Sequence, residues 1–160
     1  MGASIGAGRG RTAKAPRAAA RTADSDGLGR TEWRRVPLKT KRWDEPVEPD
    51  DGLRVLVCRY RPRGVPKADE PWDLWAPNLG PSRDLLAAFQ GKSGPPIPWK
   101  DFARQYRTEV KNERDLLRSL AARLRLGERM TLLCSSTCVD PARCHRSLLE
   151  VILEREAAGA

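Results

Sequence analysis

Leu53-Arg54-Val55-Leu56-Val57-Cys58 decides the fold class of this chain. The stretch is rich in β-branched residues, nearly continuous in apolar side chains, and preceded by the turn formers Glu48-Pro49-Asp50-Asp51-Gly52. A run that is apolar on both faces fits a strand buried between two layers. Met130-Thr131-Leu132-Leu133-Cys134 has the same character and predicts a second buried strand. Val36-Pro37-Leu38-Lys39-Thr40 predicts a third, shorter strand.

The segments between these strands are helical. Ser82 is an N-cap for a short helix carrying Leu85, Leu86 and Phe89, with Gly91 as its stop. From Trp99 a single long amphipathic helix is expected, because Phe102, Tyr106, Val110, Leu117, Leu120 and Leu124 recur at helical spacing. Gly127 is placed to end it. Asp140-Pro141 opens a last helix, with Asp as the cap and Pro at the first helical position, where its missing N–H costs nothing. His145, Leu148, Leu149 and Ile152 mark the inner face of that helix. Trp72, Leu74 and Trp75 fall in an irregular stretch. Buried strands joined by helical crossovers predict an α/β fold, a small mainly parallel sheet flanked by helices.

The chain has 160 residues, enough for one domain. Its net charge of +9 is unevenly spread, since residues 1–35 hold eight Arg or Lys against three carboxylates. Small residues, scattered Arg and no hydrophobic period make residues 1–34 a disordered basic tail, with residues 35–156 as the folded domain. A basic tail attracts phosphates without sequence preference, which makes nucleic acid a candidate partner. No apolar run approaches the about 20 residues that span a bilayer, and no apolar core follows the basic N-terminus. No membrane association and a reducing cytoplasmic setting are therefore expected, where thiols stay free, bind metal or react.

Three of the four cysteines and the only histidine fall within Cys134-Ser135-Ser136-Thr137-Cys138-Val139-Asp140-Pro141-Ala142-Arg143-Cys144-His145-Arg146. In open α/β sheets, ligands gather at the carboxyl ends of strands beside the following helix. Cys144 is expected in the first helical turn, where the helix dipole, Arg143, Arg146 and His145 would favour its thiolate. Three readings fit these residues. One is nucleophilic or redox chemistry at Cys144, or at Cys138, with His145 carrying the proton. The second is a metal site drawn from Cys134, Cys138, Cys144 and His145. Against it, adjacent Cys144 and His145 on one helix would point about 100° apart. The third is structural, with Cys134 a core residue and His145 a satisfied buried histidine. A phosphatase loop does not fit, because Arg143 follows Cys138 one position too early and the turn lacks glycines.

Arg59, Arg61 and Arg63 form a second constellation. If the strand runs on, all three lie on one side, at the same sheet edge as Cys134. With Ser135, Ser136 and Arg146 they predict a cleft for a small anion such as a phosphate or carboxylate. A phosphorylated or nucleotide-like small molecule is the expected ligand, with catalysis by Cys144 and His145 as the enzymatic version. A non-enzymatic nucleic-acid-associated or regulatory module, or a small metal-stabilised domain, are the alternatives. The residues alone name no cofactor.

Asp51-Gly52, Arg54-Val55-Leu56-Val57, Arg61-Pro62-Arg63-Gly64-Val65, Lys67, Trp75-Ala76-Pro77, Gly80-Pro81-Ser82, Leu85, Trp99, Phe102, Tyr106, Thr131-Leu132-Leu133-Cys134 and Cys144-His145-Arg146 together resemble the YeaO-like family, domain of unknown function 488. The resemblance spans residues 36–154. It implies a compact intracellular α/β domain with no established reaction or cofactor. Many members, similar to this chain, carry a Leu-Leu-Cys strand end and a Cys-His-Arg helix start, while others lack the cysteines, which weighs against an obligatory thiol mechanism. The family pattern often has Asp where this chain has Cys58.

Overall fold

The computed structural model describes residues 36–159. The proposed tail, residues 1–34, lies outside the described residues. Among the described residues four strands form one sheet: β1 (Leu38–Arg42), β2 (Leu53–Leu56), β3 (Leu74–Trp75) and β4 (Met130–Cys134). Their order is β1-β4-β2-β3 and every neighbouring pair is parallel. β4, last in sequence, is thus central, which explains why all five of its residues are buried. The helices are α1 (Arg83–Phe89), α2 (Trp99–Val110), α3 (Arg114–Arg125) and α4 (His145–Ala157). The α/β class and the parallel sheet are as the sequence predicts.

The two faces of the sheet are covered differently. Val55, Val57, Met130 and Leu132 pack against side chains from all four helices. Leu56 and Leu133 face the other way and are covered by Trp72, Trp43 and Val65, which come from coil segments. Trp43 meets Trp72 edge-on, with ring centres 6.1 Å apart. Tyr106, fully buried on α2, ties its helix to the loop before α1 by donating its hydroxyl to the Leu79 carbonyl at 2.7 Å.

Three expectations need correction. The helix from Trp99 is two helices, since a 3-10 turn at Lys111–Glu113 separates α2 from α3. Val110 and Leu117 are seven residues apart, close to two turns, so the apolar stripe continues across the break and hides it. The stretch around Leu74 is not wholly irregular: Leu74–Trp75 pairs with β2, and the Trp75 indole donates to the Cys58 carbonyl at 2.9 Å.

The third correction moves the start of the last helix. Asp140 does cap, accepting from the Ala142 amide at 3.0 Å, and Pro141 does open a turn. That turn is a single 3-10 turn, Pro141–Arg143. The chain then extends at Cys144, with φ −127° and ψ 138°, and α4 begins at His145. The extended conformation carries Cys144 under the end of β4, where it is buried with Cys134 and Leu133.

Candidate functional site

The carboxyl ends of β2 and β4 open into a cleft of about 680 Å³. One wall is the segment after β2, with Cys58, Arg59, Tyr60, Arg61, Pro62 and Arg63. The opposite wall is the turn after β4, with Cys134, Ser135, Ser136, Thr137 and Cys138. His145 reaches the floor, Trp43 closes one side, and Gln90 and Lys92 approach from the end of α1. The two constellations picked out in the sequence therefore do meet.

They do not meet in the manner their spacing suggests. The Arg59 guanidinium donates to the carbonyls of Pro81 and Gly80 at 3.0 and 3.2 Å and to Asn78 Oδ1 at 3.3 Å. Arg61 is ion-paired with Glu70, donates to the Val65 carbonyl at 3.0 Å, and lies over the Trp72 ring. Both guanidinium groups hold the loops that shape the cleft. Arg63 is exposed and makes no ion pair among the described residues. A strict period-two row is lost because the strand ends at Leu56 and Pro62 redirects the chain. Lys92, which no sequence pattern marks, brings a further cation to the cleft.

Cys144 lies beneath the cleft rather than in its wall and is only 2% exposed. It is the residue that precedes α4 and not part of the first helical turn. Arg146 is likewise buried, at 4% exposure, and does not line the cleft. Its Nε and one terminal nitrogen have no hydrogen-bond partner among the described residues. Of the three clustered thiols, half-buried Cys138 stands closest to solvent.

The thiols form a chain. Cys144 Sγ donates to Cys134 Sγ at 3.2 Å, and Cys134 donates to Cys138 Sγ at 3.3 Å. The donors favour the acceptor's anion, so neighbouring Cys134 and Cys144 push the Cys138 thiol well down, with lesser help from His145 and Arg146. Donating to Cys138 pushes Cys134 up, and the bonds to Cys134 and Cys138, with burial, push Cys144 up. The helix-start position of Cys144 therefore does not give it the favoured thiolate.

His145 Nε2 lies 2.7 Å from the Val57 carbonyl. A carbonyl can only accept, so Nε2 carries the hydrogen and Nδ1 keeps the free lone pair. Nδ1 lies 3.8 Å from Cys134 Sγ. Burial lowers the His145 pKa, against the pull of the Val57 bond. Cys134, Cys144 and His145 place their ligating atoms within 4.8 Å of one another. Ser135 and Thr137 hydroxyls bond each other at 2.9 Å at the turn's outer edge.

A family model described as the active DUF488-N3 subclade matches residues 38–157. The uncharacterized protein YeaO of Escherichia coli K12 is 37% identical over 73 residues, covering 46% of this chain and 61% of that protein. Uncharacterized proteins of Mycobacterium bovis and Mycobacterium tuberculosis are each 28% identical over 120 residues, covering 75% of this chain and 96% of theirs. No solved structure matches the chain significantly.

Proposed function

The chain belongs to the DUF488-N3a family, the active DUF488-N3 subclade that includes YeaO-like proteins, and from that footing we propose that its cleft binds a small anion, a phosphorylated or nucleotide-like molecule. One observation carries this reading. The wall contains Arg59, Arg61, Arg63 and Lys92 and, among the described residues, no carboxylate. A concave site lined by one sign of charge concentrates ligands of the other sign.

The side chains divide into two roles. Arg63 and Lys92 are the cations that close on the ligand. Arg59 and Arg61 keep the walls in place; Arg59 adds its charge, while that of Arg61 is balanced by Glu70. Ser135, Ser136 and Thr137 supply hydroxyls opposite the cations, and Trp43 and Tyr60 offer flat apolar surface for a base or sugar. Arg146 is buried, does not line the cleft and makes no contact with the ligand. Of the expected Cys144–His145 pair, only His145 lines the cleft, and its Nε2 is engaged with the Val57 carbonyl.

The test is a titration of the full chain with inorganic phosphate, nucleoside mono- and diphosphates and sugar phosphates, followed by tryptophan fluorescence. Charge-assisted hydrogen bonds contribute about 1.5–3 kcal/mol, so Arg63→Ala and Lys92→Ala should each weaken binding by about 10-fold or more. Product analysis on the bound compounds then detects turnover. No saturable binding by any of them would sink the reading. Tighter, steeply salt-dependent binding of oligonucleotides would favour the nucleic-acid alternative instead.

A further inference from the structure

The thiol cluster beneath the cleft has a feature that anion binding does not use. Its donors converge. Cys134 Sγ is 3.2 Å from Cys144 Sγ, 3.3 Å from Cys138 Sγ and 3.8 Å from His145 Nδ1. We propose that this cluster is a zinc site, with Cys134, Cys144 and His145 Nδ1 as ligands and Cys138 closing the fourth position from the cleft side.

The objection from spacing disappears in the structure. Adjacent residues on a helix point about 100° apart. Cys144 is not on the helix, and its extended backbone lets its sulfur meet the ring of the next residue. The ligands arrive from three pieces of chain: the end of β4, the turn after it, and the start of α4.

The edges from Cys134 agree with this assignment, while Cys138 lies outside the group of Cys134, Cys144 and His145 atoms within 4.8 Å of one another and must move inward to close the fourth position. Zinc–sulfur bonds of about 2.3 Å and zinc–nitrogen bonds of about 2.0 Å make a tetrahedron with edges of about 3.5–3.8 Å. The thiol edges at 3.2 and 3.3 Å need to open by about half an ångström to match. The imidazole edge, at 3.8 Å, is already long enough.

Two independent observations point to a metal. First, a metal-bound histidine characteristically donates its other ring N–H to a carbonyl or carboxylate, which fixes tautomer and ring angle. His145 does this to the Val57 carbonyl at 2.7 Å, leaving the Nδ1 lone pair toward the sulfurs. Second, three thiolates and a neutral imidazole on a dication sum to a single negative charge. Arg146, next in sequence to His145, is a buried guanidinium whose Nε and one terminal nitrogen have no partner among the described residues. Glu150, one turn along α4, makes no ion pair with it among the described residues. A buried unpaired cation is costly, and an anionic metal centre beside it removes that cost.

Metal analysis of the full chain, purified without chelator, is expected to show one zinc per chain. Replacement by Co2+ should give intense thiolate-to-cobalt charge transfer and the visible bands of a tetrahedral ion. X-ray absorption should show sulfur at about 2.3 Å with one nitrogen at about 2.0 Å. Cys138→Ser, at a half-buried position, should weaken zinc by about 100-fold or more, since even a residue that only hydrogen-bonds to a ligand is worth about 10- to 100-fold. Cys134→Ser and His145→Ala should abolish the cobalt spectrum. Should either fail to fold, the wild-type absorption data and Cys138→Ser still decide. A chain that takes up neither ion, a cobalt spectrum lacking thiolate bands, or a Cys134–Cys138 disulfide formed without added oxidant would each overturn the site. Unchanged zinc affinity in Cys138→Ser would overturn Cys138 as the fourth ligand.

Discussion

Tyr106 is a residue whose role lies in one bond. Its hydroxyl is fully buried and donates to the Leu79 carbonyl, and burial pushes its pKa well up. Tyr106→Phe keeps the ring stacking and strands that carbonyl without a partner. The expected loss is about 1–3 kcal/mol of unfolding free energy, measured by urea denaturation. A loss below that range would show that water reaches the Leu79 carbonyl. The regular spacing Phe102, Tyr106, Val110 marks Tyr106 as a core position in the sequence alone. Its acceptor is 27 residues away and no local pattern names it. The same holds for the arginines after β2. Their proximity to Cys134 follows from topology, but Arg59 and Arg61 spend their donors on Pro81, Gly80 and Glu70, partners that only folding brings near.

At the scale of elements, entry into β2 depends on a glycine. Gly52 has φ +62°, and a Cβ there would sit 2.1 Å from the Arg129 carbonyl oxygen. That carbonyl accepts the Leu53 amide at 2.9 Å, so it cannot move away without breaking the first contact between β2 and the segment leading into β4. Backbone strain and overpacking together predict a loss of about 3 kcal/mol or more for Gly52→Ala. Gly127 also has a positive φ, of +84°, but open space around it. Gly127→Ala should therefore cost only about 1 kcal/mol. Thermal melts of the two variants check the difference, and equal losses would refute the crowding argument. The capping signals at Ser82 and Asp140 were legible because they act over three or four residues. What Asp140 caps was not legible. A 3-10 turn and an α-helix start with the same chemistry, and only the burial of Cys144 under β4 selects the short turn.

Across the whole molecule, the sheet end opposite the cleft is held by a charge cluster around Asp51. Its carboxylate pairs with buried Arg54, and Lys39 and Lys41 lie 2.7 and 2.8 Å away. The Asp51 backbone carbonyl accepts the Thr131 hydroxyl at 2.8 Å, so β1, β2 and β4 all meet there. Burial alone would raise the Asp51 pKa, but the lysines, the Glu48 amide and Arg54 outweigh it and hold the carboxyl well below its usual range. A depressed carboxyl pKa stabilises the fold above the unfolded value of about 3.9, and that stability is lost as pH falls through the folded value. Asp51→Asn should cost about 3–5 kcal/mol at neutral pH, as for a broken buried pair. The gap to wild type should narrow as pH drops below about 4. Denaturation curves at several pH values measure it, and a gap constant with pH would disprove the linkage. Among the described residues, no helix is long and apolar enough to cross a membrane. The sequence by itself determined the α/β class, the three main strands and the place of the Cys/His segment, because hydrophobic period and turn chemistry are local. Tertiary structure alone decided the strand order, the commitment of Arg59 and Arg61 to the loops, and the convergence of Cys134, Cys144 and His145. Each of those depends on partners distant in sequence or on burial overriding a local helical preference, and periodicity carries neither.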